Sequence, residues 1–444
     1  MTRHYVEQCL APGSPLRTAM DDAALPAEIA ATVDGRLLAR PLFAAAAEMH
    51  AFADDVVGLF HLMTSLPHRL FDGDFGRYCA QLRIDPRAEA LMRRLGDVAP
   101  PLYGRADLYH DGTRFRLLEF NIASELGGID KSQGIPAGLL TVDAFAAFAD
   151  AHRLSFTDTT QHAATTLRRA GEAVAPGREP VVALLESPGG MTNLGAIWRS
   201  LRRRLRELGL DFHLGEVGDV VERSGKLYLG DVPIDVILRT FAVDETCALP
   251  DGEALVEPIF RAHEAGTAVL FTPMASSLYG NKGCLALLSD PRWHDRFSAE
   301  ELALIDRVLP WTRALGGPST VDDEDTLAEC RERREELILK PNATNGGSGI
   351  VPGWETDDEQ WWLAIKQASV AGCVVQERVT PRAEPVVDPR TGQVEDWWAV
   401  WGMYVMPDGY AGAYARALPS STDAVISISA NASTRAAGVF LYGE

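Results

Sequence analysis

The sequence predicts an α/β protein, with antiparallel parts that give it α+β character, built as two or three packed units. Three observations carry this. Between about Val181 and Phe271, short runs rich in Val, Ile and Leu alternate with amphipathic stretches at helical spacing, the pattern of strand–helix–strand repeats over a parallel sheet. Upstream, an Asp-Gly turn at Asp111-Gly112 joins two alternating segments, a strong hairpin signal. And 444 residues with 46% apolar content, 39 glycines and 26 prolines exceed one core and suit a turn-rich chain.

In order along the chain, residues 1–100 read as a mostly helical region. Apolar residues recur at helical spacing through Ala45–Phe52 and Val56–Met63, punctuated by Pro67, Pro86 and Pro100-Pro101. His50, His61 and His68 have no accompanying carboxylate or cysteine set and read as packing or surface residues. Residues 101–180 open with the hairpin, Tyr103–Tyr109 and Arg114–Asn121, followed by the Gly-rich Ser124–Ile129 and helices to about Arg169. Residues 181–270 read as a small parallel α/β domain. Its strand candidates are Val181–Glu186, Phe212–Leu214, Lys226–Leu229 and Asp235–Arg239, with helices over Thr192–Leu208 and Gly252–Ala265. The arginines of the first helix (Arg199, Arg202, Arg203, Arg204, Arg206) read as a solvated or partner-facing surface. Residues 271–444 complete the chain, with a lid at about 321–378 and return strands over 395–444.

A formal charge of −20 with no dominant basic face argues against nucleic acid or a membrane surface as partner. Six scattered cysteines without Cys-x-x-Cys or zinc spacing read as reduced, buried thiols. No signal core or membrane-spanning run is apparent, so a cytoplasmic location is expected. Only five of the 42 basic residues are lysines (Lys131, Lys226, Lys282, Lys340, Lys366). A lysine in a Gly-rich or apolar setting is therefore less readily a random surface charge, and Lys282 and Lys340 both occupy such settings.

Leu337–Ile350 reads as a strand delivering Lys340, then a loop with Gly346, Gly347, Ser348 and Gly349. Glycines let backbone N–H groups approach an anion, and an ammonium suits a phosphate oxygen. The competing reading is a hairpin tip with a solvated lysine. The stretch is not a P-loop, since no Gly-x-x-x-x-Gly-Lys-[Ser/Thr] occurs. In the hairpin, period two places Arg105, Asp107 and Tyr109 on one face, and Glu119 with Asn121 on one face of the partner strand. Two carboxylates and an amide oxygen would then converge. A hard divalent cation such as Mg²⁺ would resolve their repulsion. A solvated polar face with Arg105 neutralising Asp107 is the alternative.

Taken together, Asn281-Lys282, Lys340-Pro341, Gly346-Gly347-Ser348-Gly349, Gln376-Glu377 and the Arg105/Asp107/Glu119/Asn121 hairpin resemble the ATP-grasp superfamily, and within it the glutathionylspermidine-synthase-like and circularly permuted branches. The resemblance runs from about Tyr103 to Arg416 and leaves residues 1–100 uncovered. The hairpin precedes the lysines, which is the permuted order. Gly225–Leu229 with Asp235–Arg239 looks like the domain that precedes the core in those branches.

The resemblance implies ATP and Mg²⁺, with two ions expected. Lys282 and Lys340 would contact the α- and β-phosphates, and Gly346–Gly349 would fold over the triphosphate. Gln376, Glu377 and the backbone through Val379 would take adenine and ribose. Asp107, Glu119 and Asn121 would hold the metal. Arg105 and Arg416 would stabilise charge on the transferred phosphoryl group, and Arg239 would meet a substrate carboxylate. The tail over Ser427–Ala437 lacks a clear Gly-Gly-x-Ser signature. The implied activity is a carboxylate–amine ligase working through an acyl phosphate on small-molecule or peptide substrates. A phosphoryl-transfer enzyme on the same scaffold, or a catalytically silent nucleotide binder, are the alternatives. The N-terminal hundred residues are expected to shape an acceptor pocket or a homodimer contact.

Overall fold

The computed structural model describes residues 1–96, 99–316, 324–343, 349–422, 425–428 and 431–443. The hairpin forms as Gly104–His110 and Phe115–Ile122. Its turn is held by Asp111, whose carboxylate accepts the Thr113 and Arg114 amides at 2.8 and 2.9 Å, while Gly112 takes φ +100°, where a side chain would be strained. Asp107 lies opposite Glu119 and Arg105 opposite Asn121, but the register slips so that Leu108 faces Leu117. Leu118 is thus a bulged residue, left out of the ladder.

These strands belong to a seven-stranded sheet. Its order is Leu42–Ala45, Arg435–Tyr442, Gly409–Pro419, Val394–Met406, Gly104–His110, Phe115–Ile122, with Glu384–Val387 also paired to Val394–Met406. Every pairing is antiparallel except the first. Leu42–Ala45 falls in the stretch expected to be mostly helical. The 26-residue helix Ala46–Phe71 follows it directly and buries Met49, Phe52, Val56, Phe60 and Met63 at helical spacing. Phe52 meets Phe115 and Phe60 meets Phe120, with ring centroids 5.7 and 6.5 Å apart. Burying each such ring stabilises by about 1.5–3 kcal/mol. One hairpin face is therefore fixed against a helix, and the polar face is turned away from it.

A second sheet, ordered Val269–Phe271, Val236–Arg239, Val181–Glu186, Asp211–Glu216, is wholly parallel. Its continuous apolar runs are buried on both faces, as parallel strands require. Lys226–Leu229 is not part of it: that strand pairs in an antiparallel three-stranded meander with Val220–Arg223 and Val232–Ile234. Its neighbours in sequence are short and turn-linked, so hairpin pairing prevails over a crossover. A third, antiparallel sheet runs Thr312–Leu315, Cys373–Glu377, Leu337–Pro341, Val351–Pro352. It is backed by the helix Asp358–Ala371, and Leu337, Leu339, Trp361, Ile365 and Val375 make its core.

Among the described residues no single helix is long and apolar enough to cross a membrane, though the bent pair Ile129–Leu139 and Asp143–Ala151 meets that test together. All six cysteines are free thiols, five of them buried.

Candidate functional site

Arg105 and Asp107 stand two residues apart on one strand face. The carboxylate accepts from Arg105 Nε at 2.7 Å and Nη2 at 3.0 Å. Arg416, two strands away, reaches the same carboxylate with Nη2 at 2.8 Å from Oδ2. The intervening strand passes between them at Gly402, paired with both Asp107 and Tyr414. A Cβ at Gly402 would sit 3.0 Å from Arg105 Cδ, so glycine is what leaves room for Arg105. Burial alone would raise the Asp107 pKa. The two guanidiniums override it and hold the carboxyl well below its ordinary range.

Glu119 and Asn121 share this face. Glu119 Oε2 lies 3.5 Å from Lys282 Nζ, and Asn121 Nδ2 donates weakly to Asp107 Oδ2 at 3.4 Å. The lysines come from elements far away in sequence. Lys282 follows the turn Met274–Leu278, and its amide donates to Asn342 O at 3.0 Å. That bond ties its loop to the end of the strand Leu337–Pro341. Lys340, on that strand, donates through Nζ to Gln376 Oε1 at 2.6 Å and to Leu118 O at 3.3 Å. The second acceptor is the carbonyl of the bulged residue, 222 positions away in the chain. Both lysines are nearly buried, 5% and 7% exposed. Burial pulls the Lys340 pKa down to about 8, with Glu119 opposing and Lys282 reinforcing.

Beside these groups lies a cavity of about 890 Å³; Lys282 is not among its wall residues and reaches it through Glu119. Its walls include Arg105, Asp107, Glu119, Asn121, Lys340, Gln376, Glu377, Val379 and Arg416 from the residues singled out in the sequence. Gln376 is 1% exposed, and its Nε2 donates to Thr312 Oγ1 at 3.1 Å. With its oxygen on Lys340, it positions that lysine. Glu377 is half-exposed and pairs with Arg333 at 3.3 Å. Gly349 takes φ +72°, while Gly346, Gly347 and Ser348 lie outside the described residues. Arg239 is set apart from the cavity wall. It is fully buried and holds Glu125, Thr272 O and Phe241 O, the last two at 3.0 and 2.8 Å. Glu125 does line the cavity.

Sequence reasoning missed the far wall: Lys131, Glu186, Trp198, Thr240 and Glu245. Glu186 and Thr240 sit at the carboxyl ends of neighbouring parallel strands, between which the connections turn in opposite directions. That is the switch point where open α/β sheets leave a crevice. Burial pushes the Glu186 pKa up to about 7, against the indole N–H that Trp198 donates to it.

The donor chemistry of the hairpin face fits a hard cation. Glu119 and Asn121 line the cavity, and among the described residues Asp107 Oδ1 accepts only Arg105 Nε, which leaves it a lone pair. Two carboxylates and an amide make up this set. Among the described residues no group of three His, Cys, Asp or Glu side chains could hold a metal.

Among solved structures, a glutathione synthetase-like effector from Globodera pallida superposes over 99% of this chain and 98% of its own, with a TM-score of 0.59 and 14% identity. The chain has an ATP-grasp fold. A D-alanyl-alanine synthetase A from Vibrio cholerae aligns over 59% of this chain and 74% of its own, with a TM-score of 0.34 and 16% identity. That likeness is too loose to bear on function. In sequence, an uncharacterized protein of Mycobacterium leprae is 25% identical over 359 residues, covering 74% of this chain. The chain spans only 58% of that relative's length. No family model matches.

Proposed function

We propose that this protein is an ATP- and Mg²⁺-dependent carboxylate–amine ligase that forms an amide through an acyl phosphate. The observation that carries this reading is that Lys340 lines one cavity with Arg105, Asp107, Glu119 and Asn121, while Lys282, just outside its wall, pairs with Glu119 at 3.5 Å. Two nearly buried ammonium groups beside one cavity suit a polyphosphate, an anion that would compensate their lost hydration. Glu377 and the backbone through Val379, which line the same cavity as Lys340, would take the base and ribose. Glu119, Asn121 and Asp107 would hold magnesium, which when bound screens the triphosphate and the attacking carboxylate from one another.

A substrate carboxylate oxygen attacks the γ-phosphorus and ADP leaves. Arg105 and Arg416 would meet the charge that spreads over the transferred group, being donors already oriented by Asp107. The amine nitrogen then attacks the acyl carbon, phosphate departs, and the amine proton is lost. No covalent nucleophile of the protein is required, and positioning and electrostatics supply the catalysis. The order of elements, hairpin before lysines, suits the permuted branch. The absence of a membrane-crossing helix among the described residues is compatible with the cytoplasm as its place of action.

The test is ADP release measured across acid and amine pairs with Mg²⁺. Release that requires both partners, with an amide identified by mass spectrometry, is the expected result. Release with acid alone, leaving a stable phosphorylated product, would favour phosphoryl transfer. No nucleotide binding at all would sink both.

A further inference from the structure

We propose that Lys131 forms a second anion subsite, which selects a carboxylate substrate carrying another acidic group a short distance from the reacting one. This rests on the ligase reading and deepens it.

Lys131 is the third residue of the helix Ile129–Leu139. Apart from the adjacent Asp130, nothing local favours a cation there. The first turn of a helix carries partial positive charge and repels an ammonium. The Lys131 side chain is only 8% exposed, so water cannot fully solvate it. Its Nζ forms an ion pair with Asp130 Oδ1 at 3.7 Å, beyond hydrogen-bond distance, and makes no hydrogen bond among the described residues. Asp130, 3% exposed, leaves its Oδ2 without a partner. The pair is thus a poorly matched one, and the ammonium borders the cavity. Among the described residues its N–H donors have only this distant ion-pair partner.

The position relates this group to the phosphoryl centre. Side chains on a helix lean toward its N-terminus, which here is the Gly127-Gly128 turn, and both of these glycines line the cavity with Lys131. There Gly127 O accepts Arg105 Nη1 at 2.9 Å and the Tyr404 hydroxyl at 2.7 Å. Lys131, Gly127 and Arg105 all line the same cavity, with Gly127 four residues before Lys131 in sequence. An acid seated with one carboxylate at Arg105 and Arg416 would reach Lys131 across a few carbons. Arg36, from the loop after the neighbouring helix Ala27–Val33, adds a further positive charge to the cavity wall. Gly134, one turn along, packs on Ile29 of that helix, so the N-terminal residues help to shape this end.

Titration calorimetry on the full chain tests this, with the α,ω-dicarboxylates succinate, glutarate and adipate against butyrate, and with Mg²⁺ and a non-hydrolysable ATP analogue as a separate probe. The expected result is that at least one dicarboxylate binds the wild type more tightly than butyrate. Lys131→Met should weaken that binding about tenfold or more, Lys131→Arg should retain it, and nucleotide affinity should be unchanged in both. Dicarboxylates bound no better than butyrate by the wild type, or equally well by Lys131→Met, overturn the proposal. Should Lys131→Met fail to fold, the wild-type comparison still decides. Failure of the wild type to bind nucleotide would sink the ligase reading while leaving the dicarboxylate comparison to stand or fall by itself.

Discussion

At the scale of single residues, Lys340 joins stability to function with opposite signs. Its folded pKa of about 8 is below its ordinary 10.5, so the folded protein holds this proton less tightly than the unfolded chain. The penalty is therefore full below pH 8 and relaxes as pH rises from 8 toward 10.5. A depression of this size amounts to about 3 kcal/mol at neutral pH. Lys340→Met removes that penalty but strands Gln376 Oε1, a loss of about 1–3 kcal/mol. Melting at pH 7 should show a variant no less stable than the parent, whose stability no longer climbs between pH 8 and 10. Nucleotide affinity in the same variant should fall roughly a hundredfold or more. A variant that melts lower yet still binds nucleotide would make Lys340 a structural residue. Glu119 gives a cleaner separation. Glu119→Gln keeps the shape but removes a charge from the oxygen set, so nucleotide should still bind while magnesium-dependent ADP release drops by about two orders of magnitude. Titration of activity against Mg²⁺ would expose a metal role as a raised half-saturation. An unchanged one would place the metal elsewhere.

At the scale of elements, the hairpin was legible because everything that makes it is local. Asp111-Gly112 sets the turn, and period two puts Arg105, Asp107, Glu119 and Asn121 on one face. The bulge at Leu118 was not legible, since it has no residue signature; its effect is to free the carbonyl that Lys340 takes. Leu42–Ala45 escaped for a different reason. Its pairing partner is Val439–Tyr442, and its four residues run straight into a helix whose apolar periodicity absorbs them. The far wall of the cavity was invisible because Glu186 and Trp198 acquire meaning only when strand ends converge, and the scarcity of lysines singled out Lys282 and Lys340 but not Lys131. Glu186, ending its parallel strand, carries a prediction of its own. Its folded pKa of about 7 exceeds the ordinary 4.5, so the folded state keeps a proton the unfolded chain has released. That contribution to stability is fully present below pH 4.5 and is lost as pH rises through 7. Glu186→Gln preserves an acceptor for Trp198 and does not ionise. Denaturant melts should show the two proteins alike near pH 4.5, with the variant gaining by up to about 3 kcal/mol near pH 8. A constant difference across that range would mean that Glu186 is ionised and paired in the fold.

At the scale of the whole molecule, the cavity draws its walls from the seven-stranded sheet, the parallel sheet and the lysine-bearing sheet together. The N-terminal residues are part of this assembly. Leu42–Ala45 covers the edge of Arg435–Tyr442, and Arg40 forms a buried ion pair with Glu384 at 2.7 Å. Removing residues 1–45 would bare that edge and leave Glu384 with Arg382 alone, a loss of about 3–5 kcal/mol for the ion pair before any apolar loss is counted. The shortened chain should express as aggregate. The same geometry sets how ligand energy spreads. A ligand gripped by Lys282, Lys340 and the hairpin binds only when all three sheets are in place, so it stabilises them as one. At a hundred times its dissociation constant, a nucleotide bound only to the folded state adds about 2.7 kcal/mol. Differential scanning calorimetry with Mg²⁺ and a non-hydrolysable ATP analogue should show the whole transition moving up by about 1–3 °C, scaled down for this chain length from smaller domains. If the lysine-bearing sheet melts as a separate peak and only that peak moves, nucleotide is held by one sheet. The joint site built from Glu119, Lys282 and Lys340 would then be wrong.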